Sequence, residues 1–120
     1  MILNSLALAY LGDAVYELYV RKYLLSKNIV KVNELQKESV GFVSAKSQAN
    51  FLNKMIDANF LTIDEINIVK RARNHKSHSS KSTDIITYKN STGLEALIGY
   101  LYLEKNNARI DEIMNFILEG

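Results

Sequence analysis

No proline interrupts this chain of 120 residues, glycines number only five, and apolar residues return at spacings of three and four almost from end to end. That pattern confines the fold to helices, because a 3.6-residue period keeps one stripe of each segment apolar and nothing in the chain forces the backbone out of it. Six helices are expected. The first runs from about Ser5 to Ser26, and its apolar residues cover most of its circumference, so it is buried on several sides or at a subunit contact. The second covers about Asn33 to Phe42. Ser44 can cap a third, reaching about Ala58 and carrying Ala45, Ala49, Leu52, Met55 and Ile56 as one stripe. Thr62 and Glu65 form a capping-box pattern that opens a fourth, ending near Asn74. A fifth starts near Ser91 or Thr92 and runs to about Lys105, and Arg109 to Leu118 forms the last. The stretch from His75 to Lys89, rich in Ser, Thr, Lys and His, reads as one long basic loop. Loops of that length inside compact domains are as a rule functional or disordered.

With 48% hydrophobic and 23% charged residues, the chain has the profile of one globular domain spanning residues 1–120. It is long enough to bury roughly two-thirds of its unfolded surface. Cysteine is absent, which excludes disulfides and thiolate metal sites and fits a reducing, cytoplasmic setting. Any metal would be held by oxygen or imidazole. Asn4, Asp13 and Glu17 interrupt the apolar opening, and no basic stretch precedes it, so it reads as a core helix and not as a signal peptide or membrane span.

Two acids stand out. Asp13 lies inside the otherwise apolar run Leu8 to Tyr19, directly after Gly12, and Glu95 lies in the similar run Gly93 to Tyr102. A carboxylate is almost never fully buried without a partner, and a cation is the first candidate to compensate it. Ala9, one turn before Asp13, and Gly99, one turn beyond Glu95, are small enough to let two helix backbones approach. If those helices cross there, the carboxylates face one another and can share a divalent ion, as acids on facing helices do in bundle metal sites. Mg²⁺ suits such a pair because it is hard, prefers oxygen and keeps several waters. It can activate one of those waters and stabilise charge on a phosphate, which is the chemistry of phosphodiester hydrolysis. The competing reading makes both acids edge residues of amphipathic helices, paired with lysines, and residue pattern alone does not choose between them.

Net charge is only +2, but Lys70 to Lys81 holds five basic residues, two histidines and no acid. Lys70, Arg71, Arg73, His75, Lys76, His78 and Lys81 can reach phosphates on a duplex without reading bases. The same residues also suit a solvated helix terminus, where the macrodipole favours cations. His75, His78 and Asp84 offer no third strong ligand for zinc. Tyr10, Tyr16, Tyr19, Tyr23, Tyr100 and Tyr102 fall at helical spacings and read as core or interface rather than as base-stacking platforms.

The run Leu11-Gly12-Asp13-Ala14-Val15 resembles the ribonuclease III signature, and Leu94-Glu95-Ala96-Leu97-Ile98-Gly99, followed by Tyr102-Leu103, resembles that family's second acidic motif. The chain is most similar to the Mini-III ribonucleases of that family. The residues that carry this are Ala9 to Glu17 with Tyr19-Val20-Arg21, then Arg71-Ala72-Arg73-Asn74-His75-Lys76, then Ser91 to Leu101. The resemblance implies the all-helical ribonuclease III domain with no separate double-stranded RNA-binding domain. It also implies that Asp13 and Glu95 are Mg²⁺-binding catalytic acids. Ala9 stands where the larger enzymes carry a metal-binding glutamate, and Thr92 where they carry an aspartate, so four local acids become two. Water and RNA phosphate oxygens would then complete the octahedron. Glu17 is expected to pair with Arg21 at i+4 instead of joining the site.

The function so implied is a Mg²⁺-dependent endoribonuclease that cleaves double-stranded RNA, with precursor of the large-subunit (23S) ribosomal RNA as substrate. A homodimer is expected, because one chain offers one acid pair and a two-fold dimer matches the pseudo-dyad of a duplex. Two alternatives stay open at this point. One is a non-catalytic ribonuclease III-like protein that only binds double-stranded RNA, with Ala9 and Thr92 as the marks of lost chemistry. The other is a helical interaction module with no nucleic-acid partner.

Overall fold

The computed structural model describes residues 4–75 and 84–119. Their regular structure is helical throughout: α1 (Ser5–Ser26), α2 (Val32–Val43), α3 (Ala45–Asp57), α4 (Ile63–Arg73), α5 (Ile85–Leu103) and α6 (Asn107–Glu119). Side chains close the helix starts except that of α2. Asn4 accepts from the Ala7 amide at 2.8 Å and Ser44 from the Ser47 amide at 3.1 Å. The expected capping box is present, with the Thr62 hydroxyl accepting from the Glu65 amide and the Glu65 carboxylate accepting from the Thr62 amide. Asn28 and Asn59 take left-handed backbone angles (φ 64° and 53°) just beyond α1 and α3. Asparagine tolerates that conformation better than most residues, so it ends these helices without proline.

One boundary differs from expectation. α5 begins at Ile85, six residues before Ser91, and the long loop is correspondingly shorter. Asp84 is the reason: its carboxylate accepts from both the amide and the hydroxyl of Thr87 at 2.9 Å, fixing the first turn. Ile85 and Ile86 are exposed, so the added turn has no buried stripe that periodicity could register. Asp84 is committed to this cap. His78, like Lys76 and Lys81, lies outside the described residues.

α5 is the central element. Leu94, Leu97 and Ile98 are fully enclosed by α1, α3 and α4, while Ile110, Ile113, Met114 and Ile117 of α6 close one end of the core. Each such side chain contributes about 1.5–3 kcal/mol by leaving water. Arg109 ties α6 to α4: its guanidinium donates twice to the Glu65 carboxylate and once to the Phe60 carbonyl, all at 2.8 Å. Of the tyrosines, Tyr16 sits in the core and donates to the Phe42 carbonyl at 2.6 Å, and Tyr19 and Tyr23 pack partly against it. Tyr10, Tyr100 and Tyr102 are exposed, so of the core-or-interface expectation the core part does not hold for them.

α2 buries none of its residues. Between it and α1 runs an apolar groove lined by Val20, Leu24, Leu25, Val32, Leu35 and Val43. Among the described residues no helix is long and apolar enough to cross a membrane.

Candidate active site

α1 and α5 touch through their backbones. A Cβ placed on Gly12 would lie 1.7 Å from the Glu95 carbonyl oxygen, and one on Gly99 would lie 2.0 Å from the Leu8 carbonyl oxygen. Either would collide with main chain, so only glycine permits this crossing. Ala9 and Ala96 are buried beside it. The close approach that Ala9 and Gly99 pointed to is thus carried by Gly12 and Gly99. Because Asp13 follows Gly12 directly, the crossing sets its carboxyl within hydrogen-bonding reach of the Glu95 carboxyl.

The two acids, placed in similar apolar runs, differ in burial. Asp13, which seemed out of place, is exposed, and Glu95 is the half-buried one. Burial raises the Glu95 pKa first, and the charge of Asp13 and their shared hydrogen bond raise it further, to about 8. The edge-residue reading required lysines beside these acids. Among the described residues neither carboxylate forms an ion pair, whereas Glu17 pairs with Arg21 at 2.8 Å as expected. The two acids form a carboxyl pair with no cationic partner among the described residues.

Behind Glu95 stands a residue that sequence reasoning missed. Gln48 of α3 is 1% exposed; its Nε2 donates to Glu95 Oε2 at 3.4 Å, and its Oε1 accepts from the Ser91 hydroxyl. A signal existed: Gln48 lies three residues after Ala45 and four before Leu52, so it is a polar residue on an apolar stripe, as Asp13 was. Thr92 spends its hydroxyl on the Tyr88 carbonyl at 3.0 Å. Ala9, Tyr10, Asp13, Gln48, Thr92 and Glu95 all line one open cleft of about 460 Å³.

This donor set fits a hard divalent cation. It offers two carboxylates in a solvent-open cleft, which suits Mg²⁺ with its retained waters. Zinc sites draw on three or four protein ligands, and no cluster of three or more His, Cys, Asp or Glu side chains exists among the described residues.

The predicted phosphate-binding residues are only partly within view. Arg71 is exposed in the last turn of α4, and Arg73 is half-buried, donating to Asn90 Oδ1 at 3.4 Å. The Arg73 stem also packs at Gly93, where a Cβ would meet its Cγ at 3.3 Å, so this arginine joins α4 to the helix that carries Glu95. His75 follows, half-buried; Lys76 and Lys81 lie outside the described residues.

Residues 6–106 match the model of the ribonuclease III domain. The chain is 47% identical to the Mini-ribonuclease 3 of Staphylococcus aureus, over 98% of this chain and 88% of the relative. It is 50% identical to the Mini-ribonuclease 3 of Brevibacillus brevis, over 98% and 89%. A crystal structure of a Fusobacterium nucleatum protein superposes with a TM-score of 0.89 at 38% identity, covering 98% of this chain and 94% of that one.

Proposed function

The chain belongs to the ribonuclease III family, in its Mini-ribonuclease 3 group, and is an endoribonuclease of that type; we propose that it cleaves double-stranded RNA as a Mg²⁺-dependent homodimer, with Asp13 and Glu95 as its catalytic acids. The family calls for a divalent metal, and the observation that carries the reading is the crossing at Gly12 and Gly99. It places two carboxylates against each other with no cation paired to either among the described residues. Mg²⁺ supplies, when bound, a polarised water and stabilisation of charge on the scissile phosphate.

The rest falls to the chain's own residues. Asp13 presents its carboxylate from the solvent side of the cleft, where RNA arrives, and Glu95 presents one from the half-buried side. Two helices fix the two donors, so neither has to be ordered when substrate binds. Arg71, Arg73, His75, Lys76 and Lys81 bind backbone phosphates and leave the bases unread.

A second copy of the chain supplies the second acid pair needed to cut both strands. The unburied α2 and the apolar groove beside it, with Val32 and Val40 exposed, are surface suited to that contact. We further assign the protein to the cytoplasm and to maturation of the 23S ribosomal RNA precursor, with residues 1–120 acting as one domain.

Incubation of the purified protein with long double-stranded RNA, with and without Mg²⁺, tests the reading, and Asp13→Asn serves as control. Cleavage that needs both Mg²⁺ and Asp13 is expected. RNA bound but left intact at every Mg²⁺ concentration would instead favour the non-catalytic binder.

A further inference from the structure

We propose that Gln48 is a positioning residue for Glu95: its amide, anchored by Ser91, holds one carboxylate oxygen of Glu95 and leaves the other to share a cation with Asp13. The proposal rests on the assignment of Asp13 and Glu95 as the metal-binding acids.

Three observations carry it. Gln48 is 1% exposed in the apolar stripe of α3, where a methionine would fill nearly the same volume with no polar group to satisfy. Both ends of its amide are used, Oε1 by the Ser91 hydroxyl and Nε2 by Glu95 Oε2. Once Glu95 is ionised to hold a cation, a reversed amide would set its oxygen against the carboxylate, so one orientation alone satisfies all three groups. Ser91 also precedes Glu95 by one turn on α5, so Gln48 bridges consecutive turns of the helix that presents the acid. A glutamate side chain has three rotatable bonds, and a cation that must share it with Asp13 requires one rotamer. Outer partners of this kind alter metal affinity by about 10–100-fold when removed.

The test is a Mn²⁺ titration without RNA, followed by the free-ion EPR signal, on wild type, Gln48→Met, Ser91→Ala and Glu95→Gln. Glu95→Gln is expected to abolish binding, and Gln48→Met to weaken it about tenfold. Ser91→Ala should weaken it about threefold, the worth of one modest hydrogen bond. The double variant Gln48→Met/Ser91→Ala should bind as Gln48→Met does, because the serine acts only through the amide. In cleavage assays the Mg²⁺ concentration for half-maximal rate should rise by the same factor in Gln48→Met, with KM for RNA unchanged at saturating Mg²⁺.

Wild-type Mn²⁺ affinity in both single variants, with a lowered melting temperature for Gln48→Met, would make Gln48 a packing residue and overturn the proposal. If Glu95→Gln itself bound Mn²⁺ like wild type, the underlying assignment of the acid pair would fall as well. Ser91→Ala keeps the test open should Gln48→Met not fold.

Discussion

Glu95→Gln is expected to stabilise the metal-free protein at neutral and alkaline pH while abolishing its activity. In the fold, burial and then the neighbouring Asp13 push the Glu95 carboxyl from 4.5 up to about 8. Between those values the folded chain keeps a proton that the unfolded chain has released. The unfolded state therefore binds fewer protons, and stability falls as pH rises across the window. A shift of that size corresponds to at most about 5 kcal/mol at 1.36 kcal/mol for each pH unit. The cleft admits water and salt and Asp13 is exposed, so a loss of roughly 2–3 kcal/mol is the working expectation. That is a large share of the 5–15 kcal/mol typical of a whole domain.

Urea unfolding followed by far-ultraviolet circular dichroism, from pH 5 to pH 9 in EDTA at constant ionic strength, reads it directly. The wild-type midpoint should fall with pH, and that of Glu95→Gln should hold level through the same range. The amide keeps the volume of the acid and can still accept from Gln48, so nothing else is removed. Adding Mg²⁺ at ten times its dissociation constant should restore about 1.4 kcal/mol to wild type at pH 8 and nothing to the variant. Parallel curves for the two proteins would refute the claim that Glu95 is strained by burial beside Asp13.

Other perturbations test the frame around the pair. Gly12→Ala puts a Cβ 1.7 Å from the Glu95 carbonyl oxygen, so α1 and α5 must separate by more than an ångström; a loss of about 1–3 kcal/mol and of cleavage is expected, and a fully active variant with unchanged thermal unfolding would contradict the crossing. Arg109→Ala leaves Glu65 without its partner and should cost about 2–4 kcal/mol in urea unfolding. Desolvation works against ionised Glu65, but Arg109 and Thr62 outweigh it and hold its carboxyl below 4.5. The stability this supplies is therefore present above pH 4.5 and lost as pH falls through the lowered value, and that acid limb should disappear in Arg109→Ala. Arg71→Ala, at an exposed site, should weaken RNA binding and reduce its salt slope by about one with stability unchanged, whereas Arg73→Ala should also lower the melting temperature because its stem packs at Gly93. An unchanged salt slope in both would remove them from the RNA surface.

The helices were legible because their signals are local. Ser44 and Thr62 each cap the helix they precede, and the stripe of α3 is visible within thirteen residues. The start of α5 was not, since Asp84 and its partner Thr87 sit in a stretch whose composition suggests loop and whose Ile85 and Ile86 face solvent. The identity of the two acids was also local, resting on short runs around Asp13 and Glu95. Their environments were not.

Whether an acid is buried depends on what other helices bring to it, and no single run contains that information. Asp13 sits among apolar neighbours in sequence yet faces the open cleft. Glu95 is covered by α1 at Gly12 and by Gln48, 47 residues earlier in the chain. The unequal burial of the two acids and the missed glutamine thus have one cause. α3 delivers to the α1–α5 crossing a polar group that its own stripe hides among alanines and leucines. The same geometry bears on a cleft with Ala9 and Thr92 beside its acids: of its two carboxylates, one faces solvent and the other is half-withdrawn from water and held from behind by Gln48. Whether that hold serves a shared cation is decided by the pH dependence of Glu95 together with the Mn²⁺ affinity of Gln48→Met.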